Sequence, residues 1–220
     1  MANLPPEPKS PQEVGGGIVH VVDDDAGLRA ALIRLMRSDG LAAVGHSDAS
    51  ALLASLDAEG PCCVVLDVRL SGESGLAIQD ALRKEGSTVP IIFLTGYGTI
   101  PMSVQAMRGG ASEFLTKPVE DEVLLSAIRR ALTADLAVVS DRLFRKEIDA
   151  RFATLTGRER QVMALAIGGL MNKQIAAGLG VTEITAKVHK RQVMEKMEAR
   201  SLPDLVRMAD LLGISATLTR

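Results

Sequence analysis

The residues best suited to chemistry are three acids, a hydroxyl and an amine, each at the end of a short apolar run. Asp23 and Asp24 follow IVHVV, Asp67 follows CCVVL, Thr95 follows IIFL, and Lys117 with Pro118 follows SEFL and Thr116. Two acids beside a third make an oxygen-rich site for a hard divalent cation, Mg²⁺ or Mn²⁺. Mg²⁺ prefers one or two carboxylates with waters and phosphate oxygens. A carboxylate such as Asp67 can be the nucleophile toward a phosphoryl group. Lys117 and the Thr95 hydroxyl can bind the phosphoryl oxygens. Gly96 removes side-chain bulk beside Thr95, so a backbone N–H can approach the same group. Pro118 is a candidate cis bond that would aim Lys117 into the pocket. Taken singly, an Asp-Asp pair after a strand is a solvated loop, and Lys-Pro is a turn. Together they form a site only if the fold brings the strand ends to one place.

The spacing suits such a fold. The steps from Asp23 to Asp67, Thr95 and Lys117 are 44, 28 and 22 residues, or two, one and one βα units. Predicted strands at 18–22, 41–46, 62–66, 89–94 and 112–115 alternate with helical patterns such as Leu28, Leu32, Leu35 and Met36. That alternation indicates a parallel, doubly wound sheet. Five strands fit the flavodoxin-like order 2-1-3-4-5, with its ligand site at the carboxyl ends of the strands.

From about 121 to 150 the pattern stays helical, with Leu132, Leu136, Val139 and Leu143 as an a/d-like stripe. Only helices are expected beyond it. Thr156 and Glu159 form a capping box. Asn172 can cap a short helix that Gly178 and Gly180 end. Thr182 caps a longer helix to about Met197, and Ser201 with Asp204 opens the last, ending near Gly213. Four helices with a tight Gly-bearing turn between the second and third make a helix-turn-helix arrangement. The organisation is thus an arm at 1–17, an α/β domain at 18–133, a helical linker at 134–151, an all-α domain at 152–214 and a tail at 215–220. The arm, rich in Pro and Gly, is expected to be disordered.

Charge divides along the same line. Residues 18–133 hold 10 Lys and Arg against 15 Asp and Glu, whereas residues 152–220 hold 10 against 6. The basic back half is the candidate for a polyanion. On the helix opened by Thr182, Ala186, Val193 and Met197 face the core, with His189 at the margin. Lys187, Val188, Lys190, Arg191 and Met194 lie on another side. A helix of this size fits the B-DNA major groove, where Arg and Lys read guanine and Val touches a thymine methyl. Lys173, Lys196 and the helix N-terminus at Thr182 are candidates for phosphate contacts. The single Tyr, four Phe and no Trp offer no stacking platform for single-stranded nucleic acid.

No apolar run approaches the roughly 20 residues that cross a bilayer, and no secretory signal opens the chain. The expected location is the cytoplasm, with no membrane partner. Cys62 and Cys63 are read as small buried hydrophobes at a strand start, with a thiol redox sensor as the rival reading. His20, inside the first strand, is read as structural. Asp25 is left as a loop acid without a role.

Residues 18–133, through VVDDD, LDVRLSGESG and FLTGYGTIPMSVQAMRGGASEFLTKP, resemble a response-regulator receiver domain. The segment from Thr95 to Pro118 is similar to the FixJ group. The resemblance implies that Asp67 is the phosphoacceptor. It implies Asp24, Asp67 and the Arg69 carbonyl as metal ligands, with Asp23 acting through water, Thr95 and Lys117 as phosphoryl sensors, and Phe114 as the switch aromatic. Ser71 departs from the Pro usual in this loop, which removes no chemical group.

Residues 153–213 resemble the LuxR/NarL-type domain. This implies base reading by Lys187, Val188 and Arg191, and a phosphate or packing role for His189. Met171 stands where a Ser or Thr cap is common, and Ala186 replaces the usual Val.

The two resemblances imply a sensor histidine kinase as phosphodonor, homodimerisation on phosphorylation, double-stranded promoter DNA as target, and RNA polymerase as a further candidate partner. The chain is expected to be no enzyme beyond its own phosphorylation and dephosphorylation. A phosphatase of the haloacid dehalogenase type also uses an aspartyl nucleophile, but it needs Asp-x-Asp and here position 69 is Arg69. A phosphate sink that never binds DNA is the other rival, and the basic helix face argues against it.

Overall fold

The computed structural model describes residues 17–56 and 60–217. The expected arm, apart from Gly17, and the last residues of the tail lie outside them. The chain divides into two compact units, one up to Val139 and one from Ser140.

The first unit is built on five parallel strands: β1 (Ile18–Val22), β2 (Ala42–His46), β3 (Cys62–Leu66), β4 (Ile91–Thr95) and β5 (Glu113–Thr116). Their order is β2-β1-β3-β4-β5, as the alternation of apolar runs indicated. Every residue of β3 and β4 is buried, because a central parallel strand is covered on both faces. Alternate side chains then serve opposite layers. Val19, Val21, Cys63, Val65, Ile92 and Leu94 pack with α1 (Ala26–Ser38) and α5 (Asp121–Ala153). Val22, Val64, Leu66, Ile91 and Phe93 pack with α2 (Ala49–Ser55), α3 (Gly75–Lys84) and α4 (Ile100–Arg108).

The helices start where side-chain oxygens accept otherwise orphaned N–H groups. Asp25 accepts from Gly27 and Leu28, Asp48 from Ala51, Ser74 from Leu76 and Thr99 from Met102. Asp25, given no role in the sequence reading, is therefore the α1 cap. Its signal was present: an acid directly before an amphipathic stretch.

The helix α5 runs without a break for 33 residues, so the expected linker 134–151 is part of one helix. Its predicted stripe is not uniform: Leu132 and Val139 are buried, while Leu136 and Leu143 are exposed. No helix among the described residues is long and apolar enough to cross a membrane.

The second unit packs the end of α5, through Ile148, with α6 (Gly157–Ile167), α7 (Asn172–Leu179), α8 (Glu183–Lys196) and α9 (Leu202–Leu211). Val162, Met163, Ile175, Ala186, Val193, Met197 and Leu205 form its aliphatic centre. The Thr156–Glu159 capping box and the Thr182 and Ser201 caps form as expected.

The start and end of α7 differ from expectation. Asn172 is its first helical residue and Met171 the N-cap, with Gln174 Oε1 accepting the Met171 N–H at 2.9 Å. Gly178 lies within the helix, and only Gly180, at φ 65°, ends it. That left-handed conformation costs a side chain most and glycine least, so Gly180 makes the tight turn between α7 and α8. Within the tail, the Thr217 N–H donates to the Ala164 carbonyl at 3.0 Å.

Candidate functional site

The parallel sheet delivers the predicted residues to one edge. Asp67 N–H donates to the Val22 carbonyl (3.0 Å), and Lys117 N–H donates to the Thr95 carbonyl (2.8 Å). These backbone bonds fix the loop after β3 beside the end of β1, and the loop after β5 beside the end of β4. Lys117 Nζ then donates to Asp23 Oδ2 (2.8 Å) and to Asp67 Oδ2 (2.7 Å). Burial alone would lower the Lys117 pKa, but the bonds to Asp23 and Asp67 outweigh it and hold the ammonium above its ordinary value. The Lys117–Pro118 peptide is cis, as expected.

Other donors engage the acids as well. Asp23 Oδ1 accepts the Asp25 N–H (2.9 Å), and Asp67 Oδ1 accepts the Arg69 N–H (3.0 Å). Asp24 is exposed and accepts from Ser71 Oγ at 2.5 Å. The Ser71 bond, the largest influence, holds the Asp24 carboxyl below its usual range. Among the described residues, no three acidic, His or Cys side chains converge closely enough to cage an ion by themselves. The donor set is two or three carboxylates and a backbone carbonyl at an open edge. It fits a hydrated hard cation that keeps several waters, and it does not fit a soft metal that needs thiolate or imidazole.

Around the acids lie the expected sensors. Thr95 is fully buried, and its Oγ1 accepts the Tyr97 N–H at 3.3 Å. Phe114 is half-buried, with its ring 6.0 Å from that of Phe93. Arg69 forms an isolated bridge with Ser74, and its guanidinium lies 3.9 Å above the Tyr97 ring. Sequence reasoning missed this stack, because neither residue matches a pattern until the loops after β3 and β4 adjoin.

Nearby, His20 Nδ1 and His46 Nε2 are 3.0 Å apart and both rings are buried. The structural reading of His20 thus has a partner on β2 that sequence reasoning did not name. Cys62 and Cys63 are buried at the start of β3. Burial pushes the Cys63 thiol up, away from the reactive thiolate.

On α8, Ala186, Val193 and Met197 are buried, and Lys187, Val188 and Arg191 are exposed. Lys190 is half-buried and Lys173, on α7, exposed. Thr182 is exposed while its Oγ1 accepts the Thr185 N–H. His189 is half-buried and, among the described residues, its buried Nδ1 has no hydrogen-bond partner. Ile184, exposed in the first turn, was not singled out in the sequence. Lys196 has a partner that the sequence did not show: its Nζ pairs with the buried carboxylate of Glu159 at 2.7 Å, while the side chain stays partly exposed.

Residues 19–129 match the family described as the response regulator receiver domain. Residues 153–209 match the bacterial regulatory proteins of the luxR family. The chain is 48% identical over 202 residues to nodulation protein W of Bradyrhizobium diazoefficiens, covering 92% of this chain and 89% of that protein. It is 42% identical over 200 residues to the transcriptional regulatory protein FixJ of Azorhizobium caulinodans, covering 90% and 93%. The solved structure of the response regulator StyR is 42% identical, with a TM-score of 0.80 over 89% of this chain and 99% of that one. Full-length FixJ from B. japonicum is 38% identical, with a TM-score of 0.53 over 91% and 98%. The chain belongs to the FixJ and nodulation-protein-W group of transcriptional response regulators, in which a receiver domain precedes a luxR-type helix-turn-helix DNA-binding domain.

Proposed function

We propose that Asp67 accepts a phosphoryl group from a sensor histidine kinase in the cytoplasm, and that this governs promoter binding by the helical half. The observation that carries the reading is Lys117 Nζ, shared between Asp23 and Asp67 at 2.8 and 2.7 Å. An ammonium held against the nucleophile is placed to follow charge onto an incoming phosphoryl oxygen. An Asp67 carboxylate oxygen attacks phosphorus as the bond to the donor's leaving atom breaks. Mg²⁺ or Mn²⁺, held by Asp24, Asp67 and the Arg69 carbonyl with Asp23 acting through water, would neutralise charge at this step. The Thr95 hydroxyl exchanges the Tyr97 N–H for the phosphoryl group, and Phe114 repacks with it.

The output is pairing. Ile100, Val104 and Met107 on α4 are large apolar residues left exposed, which supports the face of α4 and β5 as the surface where two receivers meet. Two DNA-binding units then address two half-sites about one helical turn apart. Joining two weak sites raises affinity through effective concentration without new base contacts. Lys187, Val188 and Arg191 read bases, while Lys190, Lys173 and the α8 N-terminus at Thr182 approach phosphates. His189 serves packing or a phosphate. RNA polymerase is the further partner of the bound dimer, and the chain turns over no separate substrate.

Incubation with a small-molecule phosphodonor and Mg²⁺ tests the assignment. The parent is labelled on Asp67 and Asp67→Asn is not; equal labelling of the two refutes it. A DNA footprint that survives Lys187→Ala with Arg191→Ala places the DNA surface elsewhere.

A further inference from the structure

Asp24 differs from the other two acids of the pocket. Lys117 donates to both Asp23 and Asp67. The side chain that donates to Asp24 is Ser71, in the loop after β3, 47 positions away in sequence. At 2.5 Å this is the short, charge-assisted kind of O–H···O⁻ bond. It engages Asp24 Oδ2. Asp24 is also exposed and sits between β1 and the Asp25 cap of α1. Without a tether, an exposed carboxylate samples several rotamers, and only some present an oxygen to the pocket.

We infer that Ser71 is a positioning residue: its hydroxyl fixes the Asp24 carboxylate in the orientation that receives the divalent cation. This rests on the reading of the acidic pocket as a cation site. A ligand held by an outer hydrogen bond loses less freedom on binding, and removing such a partner typically weakens metal affinity by about 10-fold to 100-fold. The same bond links the loop after β3, which carries Asp67, to the loop after β1. Ser71 therefore also sets the distance between the two acids. A hydroxyl that merely competed with the cation for Asp24 would have the opposite effect, and its removal would tighten binding.

Full-length, unphosphorylated protein is titrated with Mn²⁺, and the free ion is counted by its electron paramagnetic resonance signal. Ser71→Ala is expected to weaken binding by about tenfold relative to the parent, and Ser71→Thr, which keeps the hydroxyl, to restore it. With a small-molecule phosphodonor, Ser71→Ala is expected to need correspondingly more Mg²⁺ for half-maximal labelling. A parent that binds and a Ser71→Ala protein that binds as tightly, or more tightly, overturns the role of Ser71 and leaves the pocket intact. A parent that binds no Mn²⁺ overturns the pocket reading and this inference with it.

Discussion

Lys196, the last residue of α8, pairs with Glu159 in the first turn of α6 at 2.7 Å. Glu159 is nearly fully buried, and the same Oε2 accepts the Thr156 N–H at 2.7 Å. One carboxylate thus closes the α6 capping box and ties down the end of the helix proposed to read DNA.

Replacing Lys196 with Met is therefore expected to act on stability. It leaves a buried carboxylate without its charged partner, at a cost of about 1–3 kcal/mol. The Lys196 bond is the largest influence holding the Glu159 carboxyl below its usual range. The pair's contribution is full above the ordinary glutamate pKa and is lost as pH falls through the lowered value. Thermal denaturation at pH 7 should show the helical unit of Lys196→Met melting earlier. DNA affinity measured well below that transition should be nearly that of the parent.

The Lys196–Glu159 pair marks where sequence reasoning stopped. The order of strands, the Thr156, Thr182 and Ser201 caps and the strand-end acids were legible because each rests on local pattern: period, capping chemistry, or position after an apolar run. A basic residue at the end of a basic helix looks like another phosphate contact. Only packing of α6 against α8 brings Glu159 to it. The same holds for Arg69 over Tyr97 and for His20 beside His46, whose partners lie on separate elements. Ser71 was read for the proline it lacks, and its bond to Asp24 needs two loops in contact.

In the receiver unit, Lys117→Met removes the counter-charge between Asp23 and Asp67, whose side chains are 5% and 13% exposed. Two partly buried carboxylates then repel each other, and the receiver should lose about 1–3 kcal/mol at neutral pH. A divalent cation supplies the missing positive charge. Millimolar Mg²⁺ is expected to restore much of the loss in Lys117→Met, and not in Lys117→Met combined with Asp24→Asn. Chemical denaturation of the receiver with and without Mg²⁺ reads both effects; no difference between the single and double variants refutes the argument.

Gly75, the first residue of α3, lies against the backbone of Asp67. A Cβ built there would sit 2.2 Å from the Asp67 carbonyl oxygen, far inside contact distance. Because the obstacle is backbone, Gly75→Ala must push the phosphoacceptor loop away. Overpacking of this kind costs about 1–3 kcal/mol. The expected result is lower receiver stability together with slower labelling of Asp67 by a small-molecule phosphodonor. Labelling at the parent rate would show that the loop moves without cost to the site.

The His20–His46 pair gives the receiver a pH dependence of definite sign. Burial, then the proximity of His46, lowers the His20 pKa to about 4. Burial, as the largest cause, lowers that of His46 as well. Both rings are thus neutral in the fold near pH 7, and one can donate to the other. In the unfolded chain each takes a proton near its ordinary value of about 6.5. Below that value the unfolded state binds more protons, so stability is full above it and falls with pH toward about 4 for His20. The slope approaches roughly 1.4 kcal/mol per pH unit for each ring that stays neutral in the fold. Urea denaturation at pH 7 and pH 5.5 should show the parent receiver losing on the order of 1 kcal/mol or more. Leu at both positions removes both titrating groups from both states, and the loss should shrink accordingly. If the doubly substituted receiver loses as much as the parent, the pH sensitivity resides in other groups.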